Sequence, residues 1–282
     1  MLRAMVTRNL KLYFRDKAAV FFSLLGVMII ILLYVLFLGR MVSSMAGDFS
    51  ESARFFSDSW VMAGVIAATS MTTCLAGFGI MVDDKARKIS LDFESAPIPR
   101  AKLVLAYVLA SVLIGLVMTL FTFVLGEIYI VLFGGHFLSL AGILKVLGVI
   151  ILSVSASSAM VFFMVSTIKS PNAFGTLSTV IGSLIGFLAG IYVPIGNLPE
   201  AIQQLVKIVP VSHGAAALRQ VMMQEAIPLE QIPEDVKIFM GIQFHYGGEV
   251  MPFWAHLAIL AATFVVFYAL SVMLMRTRKN KE

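Results

Sequence analysis

Charged side chains and cysteine are both scarce in this chain. Only 13% of the 282 residues are Asp, Glu, Lys or Arg, whereas a soluble domain has about 25%. The single cysteine, Cys74, excludes an internal disulfide, and its apolar surroundings favour a small buried side chain. Together with 60% hydrophobic residues, this composition excludes an ordinary soluble fold and favours a protein embedded in a lipid bilayer.

Motifs for nucleotide, zinc-protease and serine-hydrolase chemistry are also absent from the sequence. The chain has no G-x-x-x-x-G-K-[ST], no H-E-x-x-H and no G-x-S-x-G. We therefore expect no catalytic residue, no bound cofactor and no metal ligand in this chain. The histidines show no metal-ligand spacing, and we expect all four to be solvated or interfacial: His136, His213, His245 and His256.

Long apolar runs dominate what is present. They cover residues 18–38, 60–82, 103–125, 140–168, 174–194 and 253–275. A helix needs about 20 apolar residues to cross about 30 Å of hydrocarbon, and only helices and closed barrels satisfy their backbone polar groups in lipid. The runs lack the period-two alternation of barrel strands. We predict an all-α polytopic membrane protein with six transmembrane helices in one domain, residues 1–282.

The charges that are present differ between the two sides of the membrane. With the N-terminus inside, 15 of the 21 Lys and Arg residues fall on the inner side. Basic residues concentrate on the cytoplasmic face of membrane proteins, so we predict cytoplasmic termini. The centres of the runs, the third excepted, carry no ionisable Asp, Glu, Lys or Arg. This argues against a self-powered pump or a charge-selective channel, because such proteins bury these residues in their pathways.

The N-terminal segment, residues 1–17, has the pattern of a basic amphipathic helix. Arg8, Lys11 and Arg15 share one face at 100° per residue, and apolar residues spread over the other. We expect this helix to lie in the inner interface with its cations toward anionic headgroups, as a rigid strut before the first span. A disordered positive leader is the alternative.

The inner loop between the second and third spans predicts a short helix over residues 84–95. Asp83 or Asp84 fits a helix N-cap. Apolar residues follow at helical spacing, and Pro97 and Pro99 end the pattern.

Two features mark the second half of the chain. The fifth span repeats a small residue every fourth position (Ser178, Gly182, Gly186, Gly190), which favours close helix packing within the subunit or a seam between subunits. The following outer segment, residues 196–252, begins with two helical patterns too short to cross the membrane. They predict re-entrant or interfacial helices. An apolar face of the first pattern holds Ile202, Leu205, Val206 and Val209. Residues 225–250 resemble a polar extracellular loop.

The order of these parts resembles the permease subunits of ABC exporters of the second class, which include drug, antibiotic-peptide and polysaccharide export systems. The basic segment 1–17 looks like the connecting helix of that family. The run 84–100, which ends in Ser-Ala-Pro-Ile-Pro-Arg, is similar to its coupling helix. The outer runs 192–200 and 208–219, Tyr-Val-Pro-Ile-Gly-Asn-Leu-Pro-Glu and Ile-Val-Pro-Val-Ser-His-Gly-Ala-Ala-Ala-Leu-Arg, resemble its re-entrant helices.

The resemblance implies a complex of two permease subunits, homodimeric or heterodimeric, with two separate ATP-binding subunits that hold ATP and Mg. It assigns docking of the ATPase to the coupling helix, where we expect apolar anchors and charged contacts: Ile89 and Phe93, and Asp84, Arg87, Lys88 and Glu94. The four apolar outer residues would form an extracellular gate. We expect a multi-pass protein of a bacterial-type cytoplasmic membrane, in contact with lipid and not with nucleic acid. The alternatives are a scaffold or sensor subunit without transport and a stand-alone secondary transporter.

Overall fold

Helices form nearly all of the described chain. The computed structural model describes residues 1–34, 36, 52–89, 92–93, 99–168, 170–246 and 249–279. Its helices are α1 (Leu2–Arg15), α2 (Lys17–Leu33), α3 (Ser52–Ala86), α4 (Arg100–Leu132), α5 (Leu140–Ser166), α6 (Pro171–Leu188), α7 (Glu200–Val206), α8 (Pro210–Gln224), α9 (Glu234–Phe239) and α10 (Phe253–Lys279). Five of them are long and apolar enough to cross a membrane, and α1 with α2 makes a sixth candidate if the bent pair is one span. The prediction of an all-α polytopic membrane protein is confirmed.

A sharp elbow separates α1 from α2. The helices meet at 71°, because Asp16 leaves the helical conformation and its carboxylate accepts a hydrogen bond from the Ala19 amide at 2.9 Å. Across the elbow, the Tyr13 hydroxyl donates to Ser23 Oγ at 3.0 Å. Every fourth residue of α1, from Met5 through Asn9 to Tyr13, is buried, and the helix packs chiefly against α4. The predicted amphipathic helix is therefore present as a packed element.

The second span, α3, lies at the centre of the subunit. It packs against α4, α5, α6 and α8, and nearly every side chain from Phe55 to Leu75 is buried, Cys74 included. By contrast, α2, α6 and α10 bury few of their side chains, so these three helices form the outer walls facing lipid or another subunit.

Capping sets the ends of the spans. The side chains of Ser139 and Ser170 accept hydrogen bonds from the first turns of α5 and α6. At the end of α6, Gly190 has φ +63, and the amide of Ile191 donates to the Gly186 carbonyl at 2.8 Å. This is a Schellman motif, in which glycine takes the left-handed position at no steric cost.

The outer helices α7 and α8 are too short to cross the membrane, as predicted. Every residue of α8 from Pro210 to Met223 is buried, and α3, α5 and α10 surround it. Polar backbone at membrane depth is tolerated only under such cover, so α8 has the environment of a re-entrant helix.

Residues 225–250 are ordered over their described portion, rather than an irregular polar loop. They contain a 3₁₀ turn (Leu229–Gln231), the helix α9, and a two-residue hairpin of β1 (His245–Tyr246) and β2 (Glu249–Val250). Buried side chains such as Ile242 and Phe244 join this segment to the hydrophobic core.

Candidate functional site

Four side chains from α1, α3, α4 and the inner loop meet at the predicted cytoplasmic ends of the spans. We call Arg8, Asp84, Phe93 and Tyr107 the inner cluster. Arg8 donates from Nη1 to Asp84 Oδ2 at 2.7 Å and from Nη2 to Asp84 Oδ1 at 2.8 Å. The Tyr107 hydroxyl donates to Asp84 Oδ2 at 2.7 Å, and the Arg8 guanidinium lies 5.3 Å from the centroid of the Phe93 ring.

Asp84 occupies a different place from the one predicted. It does not begin a coupling helix, because α3 continues through it to Ala86. Its side chain is only 4% exposed, and its carboxylate is held by Arg8 and Tyr107 within the subunit. A bidentate arginine pair fixes both position and orientation. Asp84 therefore makes contacts within the subunit, which hold α1, α3 and α4 together, and is not an exposed contact for the ATPase.

The remaining docking candidates lie at the turn that ends α3. Lys88 has φ +61, which stops the helix because residues other than glycine rarely continue in this conformation. Arg87 and Lys88 are exposed, whereas Ile89 and Phe93 are partly buried. Phe93 packs against the hydrophobic core as well as against Arg8. Glu94 lies outside the described residues.

The four predicted gate residues do not share one exposed face. Ile202 and Leu205 are exposed, with Leu205 at 51%. Val206 is 0% exposed and packs with Ile195, Ala216 and Phe244, and Val209 is partly buried beyond the end of α7. The exposed apolar edge continues instead to Ile208.

The small residues of α6 divide into an outward and an inward pair. A Cβ on Gly182 would meet nothing within 4 Å, whereas one on Gly186 would clash with the Tyr192 ring. Ser178 is partly exposed and donates to the Phe174 carbonyl. Gly190 lies beyond α6 and close to Arg219. Only Ser178 and Gly182 are thus open to a neighbouring subunit.

At the opposite end of the subunit, three side chains hold three consecutive backbone carbonyls. We call this arrangement the outer clasp. Trp60 Nε1 donates to the Met240 carbonyl at 2.8 Å, Arg219 Nη1 to that of Gly241 at 3.3 Å, and Gln220 Nε2 to that of Ile242 at 2.8 Å. These bonds fasten the segment 225–250 to α3 and α8.

Arg219 carries a buried positive charge within this clasp. Besides Gly241, its guanidinium donates to the carbonyls of Ala189 and Gly190 at the end of α6 and to that of Trp60, and it stacks 4.6 Å from the Trp60 ring centroid. Burial lowers the pKa of the Arg219 guanidinium to about 9, which leaves it protonated at neutral pH. The carbonyl dipoles at the C-terminus of α6 favour this charge.

Two histidines meet between α8 and α10, although the sequence predicted that they would be solvated. His213 and His256 are 1% and 0% exposed, and their Nδ1 atoms lie 3.0 Å apart. His213 Nε2 lies 2.8 Å from the Lys207 carbonyl. Of the other two, His136 is exposed, as predicted, and His245 is partly buried with its Nε2 3.1 Å from a Glu234 carboxylate oxygen.

A family model described as ABC-2 type transporter matches residues 1–223. The chain belongs to the ABC-2 type transporter family. No curated protein matches the chain. Membership makes it a multi-pass transmembrane permease subunit of an ABC transporter, a type of subunit that works with an ATP-binding partner. The matched region contains the inner cluster and all of α8 except its last residue, and it ends just before the segment 225–250.

Sequence reasoning named Arg8, Asp84 and Phe93 of this ABC-2 permease without their mutual contacts, and it missed Tyr107 and the side chains of the outer clasp. Arg8 was placed with Lys11 and Arg15 on one polar face, whereas its guanidinium turns toward α3. Two signals were available: Arg219, a lone cation in an apolar run, and Tyr107, a hydroxyl at the inner end of the third span. Neither signal identifies its partners, which are distant in sequence.

Proposed function

We propose that this chain is the transmembrane permease of an ATP-driven exporter that moves a hydrophobic or amphipathic substrate out of the cytoplasm. The apolar composition of the spans suits hydrophobic drugs, lipids and amphipathic antibiotic peptides, and the family resemblance adds glycans to these candidates. Two copies of the permease, or this chain and a related one, pair in a bacterial-type cytoplasmic membrane with their termini inside. Each docks one ATP-binding subunit, which binds ATP and Mg and hydrolyses the nucleotide.

The inner cluster is the observation that carries this proposal. Arg8 and Asp84 join the N-terminal helix to the end of the second span, and Tyr107 adds the start of the third. The exposed turn at Arg87 and Lys88 follows directly. A partner that pushes on this turn therefore moves three helices together. Closure of an ATP-binding dimer supplies such a push. The bidentate ion pair transmits it to α1, because two parallel hydrogen bonds fix the position and orientation of both side chains.

The outer end of the permease supplies a seal between turnovers. The exposed apolar edge of Ile202, Leu205 and Ile208 lies beside the re-entrant helix α8. Apolar surfaces exclude water and ions when they meet. Opposed edges from two subunits would form the gate, and the outer clasp would hold each edge in place.

Co-purification with the ATP-binding subunit tests the docking role. Arg87→Glu and Lys88→Glu together reverse the charge of the exposed turn, so recovery of the ATPase on the tagged permease should fall at least about tenfold, the effect of roughly 1.4 kcal/mol. Lys145→Glu, an exposed reversal at the predicted outer side, is the matched control and should leave recovery unchanged. Equal recovery from both variants would contradict docking at this turn.

Substrate-stimulated ATP hydrolysis separates transport from a scaffold or sensor role. The complex is reconstituted in liposomes and its ATPase rate is measured across a panel of apolar drugs, peptides, lipids and glycans. An exporter responds to at least one substrate and accumulates it in inside-out vesicles. A complex that docks the ATPase but neither responds nor transports any of them would favour the scaffold.

A further inference from the structure

The buried histidine pair between α8 and α10 has a hydrogen-bond pattern that protonation of His213 would break and that protonation of His256 would leave with an uncompensated buried charge. The His213 Nε2 lies 2.8 Å from the Lys207 carbonyl, which only accepts, so this nitrogen carries the ring's proton. The His213 Nδ1 is then an acceptor. The His256 Nδ1, 3.0 Å away, must carry a proton and donate it. The Lys207 carbonyl therefore determines the tautomers of both His213 and His256.

The fourth ring nitrogen of the pair, His256 Nε2, takes no part in this hydrogen-bond network. It is buried and has no hydrogen-bond partner among the described residues. A proton added there would be a donor without an acceptor, on a ring that is 0% exposed. A proton added to His213 Nδ1 would place two N–H groups against each other. Either event therefore breaks the contact or leaves an uncompensated buried charge.

The surroundings offer little to stabilise such a charge. The edges of both rings contact Phe244, at centroid distances of 5.3 and 5.5 Å. Tyr246 donates its hydroxyl to the Lys207 carbonyl at 2.6 Å, and the Lys207 ammonium donates to the His245 carbonyl at 3.3 Å. The ammonium is of the same sign as a protonated imidazole.

The helices packed around the pair contribute few ionisable groups of their own. Between residues 59 and 82, the only ionisable side chain of α3 is Cys74. The only Asp, Glu, Lys, Arg, His, Tyr or Cys residue of α5 is Lys145, which is exposed. Besides His256, α10 carries Tyr268 and the basic residues near its end. Asp58, near the outer end of α3, interacts with Tyr34 and Arg54, and Glu234 of the outer segment contacts His245, so no described carboxylate contacts the two rings.

We propose that the His213–His256 pair is a proton-sensitive junction, which fastens the re-entrant helix α8 to the last span α10 and releases it when the outer compartment becomes acidic. The pair is a direct side-chain contact between these two helices. Only the consequence for transport, a gate loosened by acid, rests on the proposed function. The junction itself is a property of the subunit alone.

The sign of the effect follows from burial. Burial lowers the pKa of His213 below the ordinary histidine value, although the hydrogen bond to Lys207 acts in the opposite direction. An opened junction exposes the rings and binds protons more readily than a closed one. The closed state is therefore fully favoured above about pH 6.5 and is lost progressively as the pH falls below that value.

Distance measurement between two spin labels tests the junction without ATP, substrate or partner. Ile208→Cys and Trp254→Cys place labels at exposed positions on either side of the pair, and the native Cys74 is fully buried. In the purified full chain we expect a second, longer distance to grow reversibly between pH 8 and pH 5, with a midpoint below about 6.5. An unchanged distance over this range would overturn the proposal.

Histidine variants identify the group responsible. The double variant H213Q/H256N removes both ionisable rings and should abolish the longer distance. If the double variant retained the longer distance, the proposal would be overturned. The same holds if H245Q, which removes the neighbouring contact with Glu234, lost the longer distance. H136N changes an exposed histidine and should have no effect.

A single substitution covers the case in which the double variant does not fold. H256N keeps an amide donor for His213 Nδ1 and removes the bare nitrogen. The longer distance should lose at least half of its population at pH 5, and an undiminished population would contradict the junction. Because these readings need no transport, a failed transport assay leaves them interpretable.

Discussion

A single carboxylate organises the predicted cytoplasmic end of this permease. Sequence reasoning assigned Asp84 to the start of a helix because aspartate often caps one. Aspartate also fits the last turn of a helix when a basic side chain from a distant part of the sequence pairs with it. Arg8 is 76 positions away in the chain, so no local pattern distinguishes the two situations. The sequence thus marks Asp84 as a candidate but does not identify Arg8 as its partner.

The first prediction concerns this pair. Asp84→Asn removes the negative charge and leaves the Arg8 guanidinium, which is one-third exposed, without its ionic partner. We expect a loss of about 2 kcal/mol in stability, measured as a lower thermal midpoint of the purified protein. ATP-driven transport should fall further than this loss explains, because α1 is no longer fastened to α3.

Asp83→Asn is the matched control for this experiment. Asp83 is the neighbouring carboxylate in the same helix turn but is exposed. Its neutralisation should leave the thermal midpoint within about 0.5 kcal/mol of the parent value. Equal losses for the two variants would contradict a special role for Asp84.

At the scale of elements, local pattern succeeded where a helix is long and failed where it is short. The six apolar runs predicted the spans because hydrocarbon thickness dictates their length. The ends of α3 and α4 lie outside the predicted runs, at Ser52 and Ala86 and at Leu132, since a helix can continue beyond the bilayer core. The end of α6, at Leu188, lies six residues inside its run, because Gly190 stops the helix. In α7, seven residues are too few for periodicity to identify the buried face.

The segment 225–250 illustrates the second limit. Its polar composition fits a loop, yet its described portion is held by side chains from α3 and α8 that bind the carbonyls of residues 240–242. Backbone carbonyls are common to all residues. Their use by Trp60, Arg219 and Gln220 therefore leaves no trace in the sequence of the segment itself.

The second prediction separates the exposed from the buried face of α7. Leu205→Asp changes a half-exposed side chain, so the protein should fold with little loss of stability, and ATP use should become uncoupled from export if this edge seals the path. Val206→Asp buries a carboxylate among Ile195, Ala216 and Phe244 and should cost several kcal/mol. Size-exclusion chromatography and coupled transport assays distinguish these outcomes. A folded, fully coupled Leu205→Asp variant would leave this edge without a sealing role.

At the scale of the whole molecule, burial divides the helices into a core and three outer walls. The core is α3 with its more buried neighbours, and the walls are α2, α6 and α10. A wall of apolar side chains suits lipid, but the flat outward face of α6 at Ser178 and Gly182 also permits another helix to approach closely. This supports the proposal that α6 contributes to the contact between two permease subunits.

Cysteine cross-linking provides the third prediction. Gly182→Cys should form a disulfide-linked dimer on mild oxidation in membranes, because nothing in the subunit covers this position within 4 Å. Gly186→Cys, one helical turn away and packed against Tyr192, should remain monomeric. The native Cys74 is buried and should not react. Cross-linking at position 186 alone would place the subunit contact on a different face. In a heterodimer, position 182 would cross-link only when the partner chain carries a matching cysteine.

Because α1 and α2 meet at a fixed angle at Asp16, a rotation of one helix moves the other. The hydrogen bond between Tyr13 and Ser23 braces the two arms, so they turn as one piece. The longer arm, α2, has 17 residues and measures about 25 Å at a rise of 1.5 Å per residue. A rocking of α1 by roughly 10° would then swing the far tip of α2 by about 4 Å, close to the width of one helical turn. A small movement of α1 would thus become, at the far end of α2, a displacement large enough to separate packed side chains.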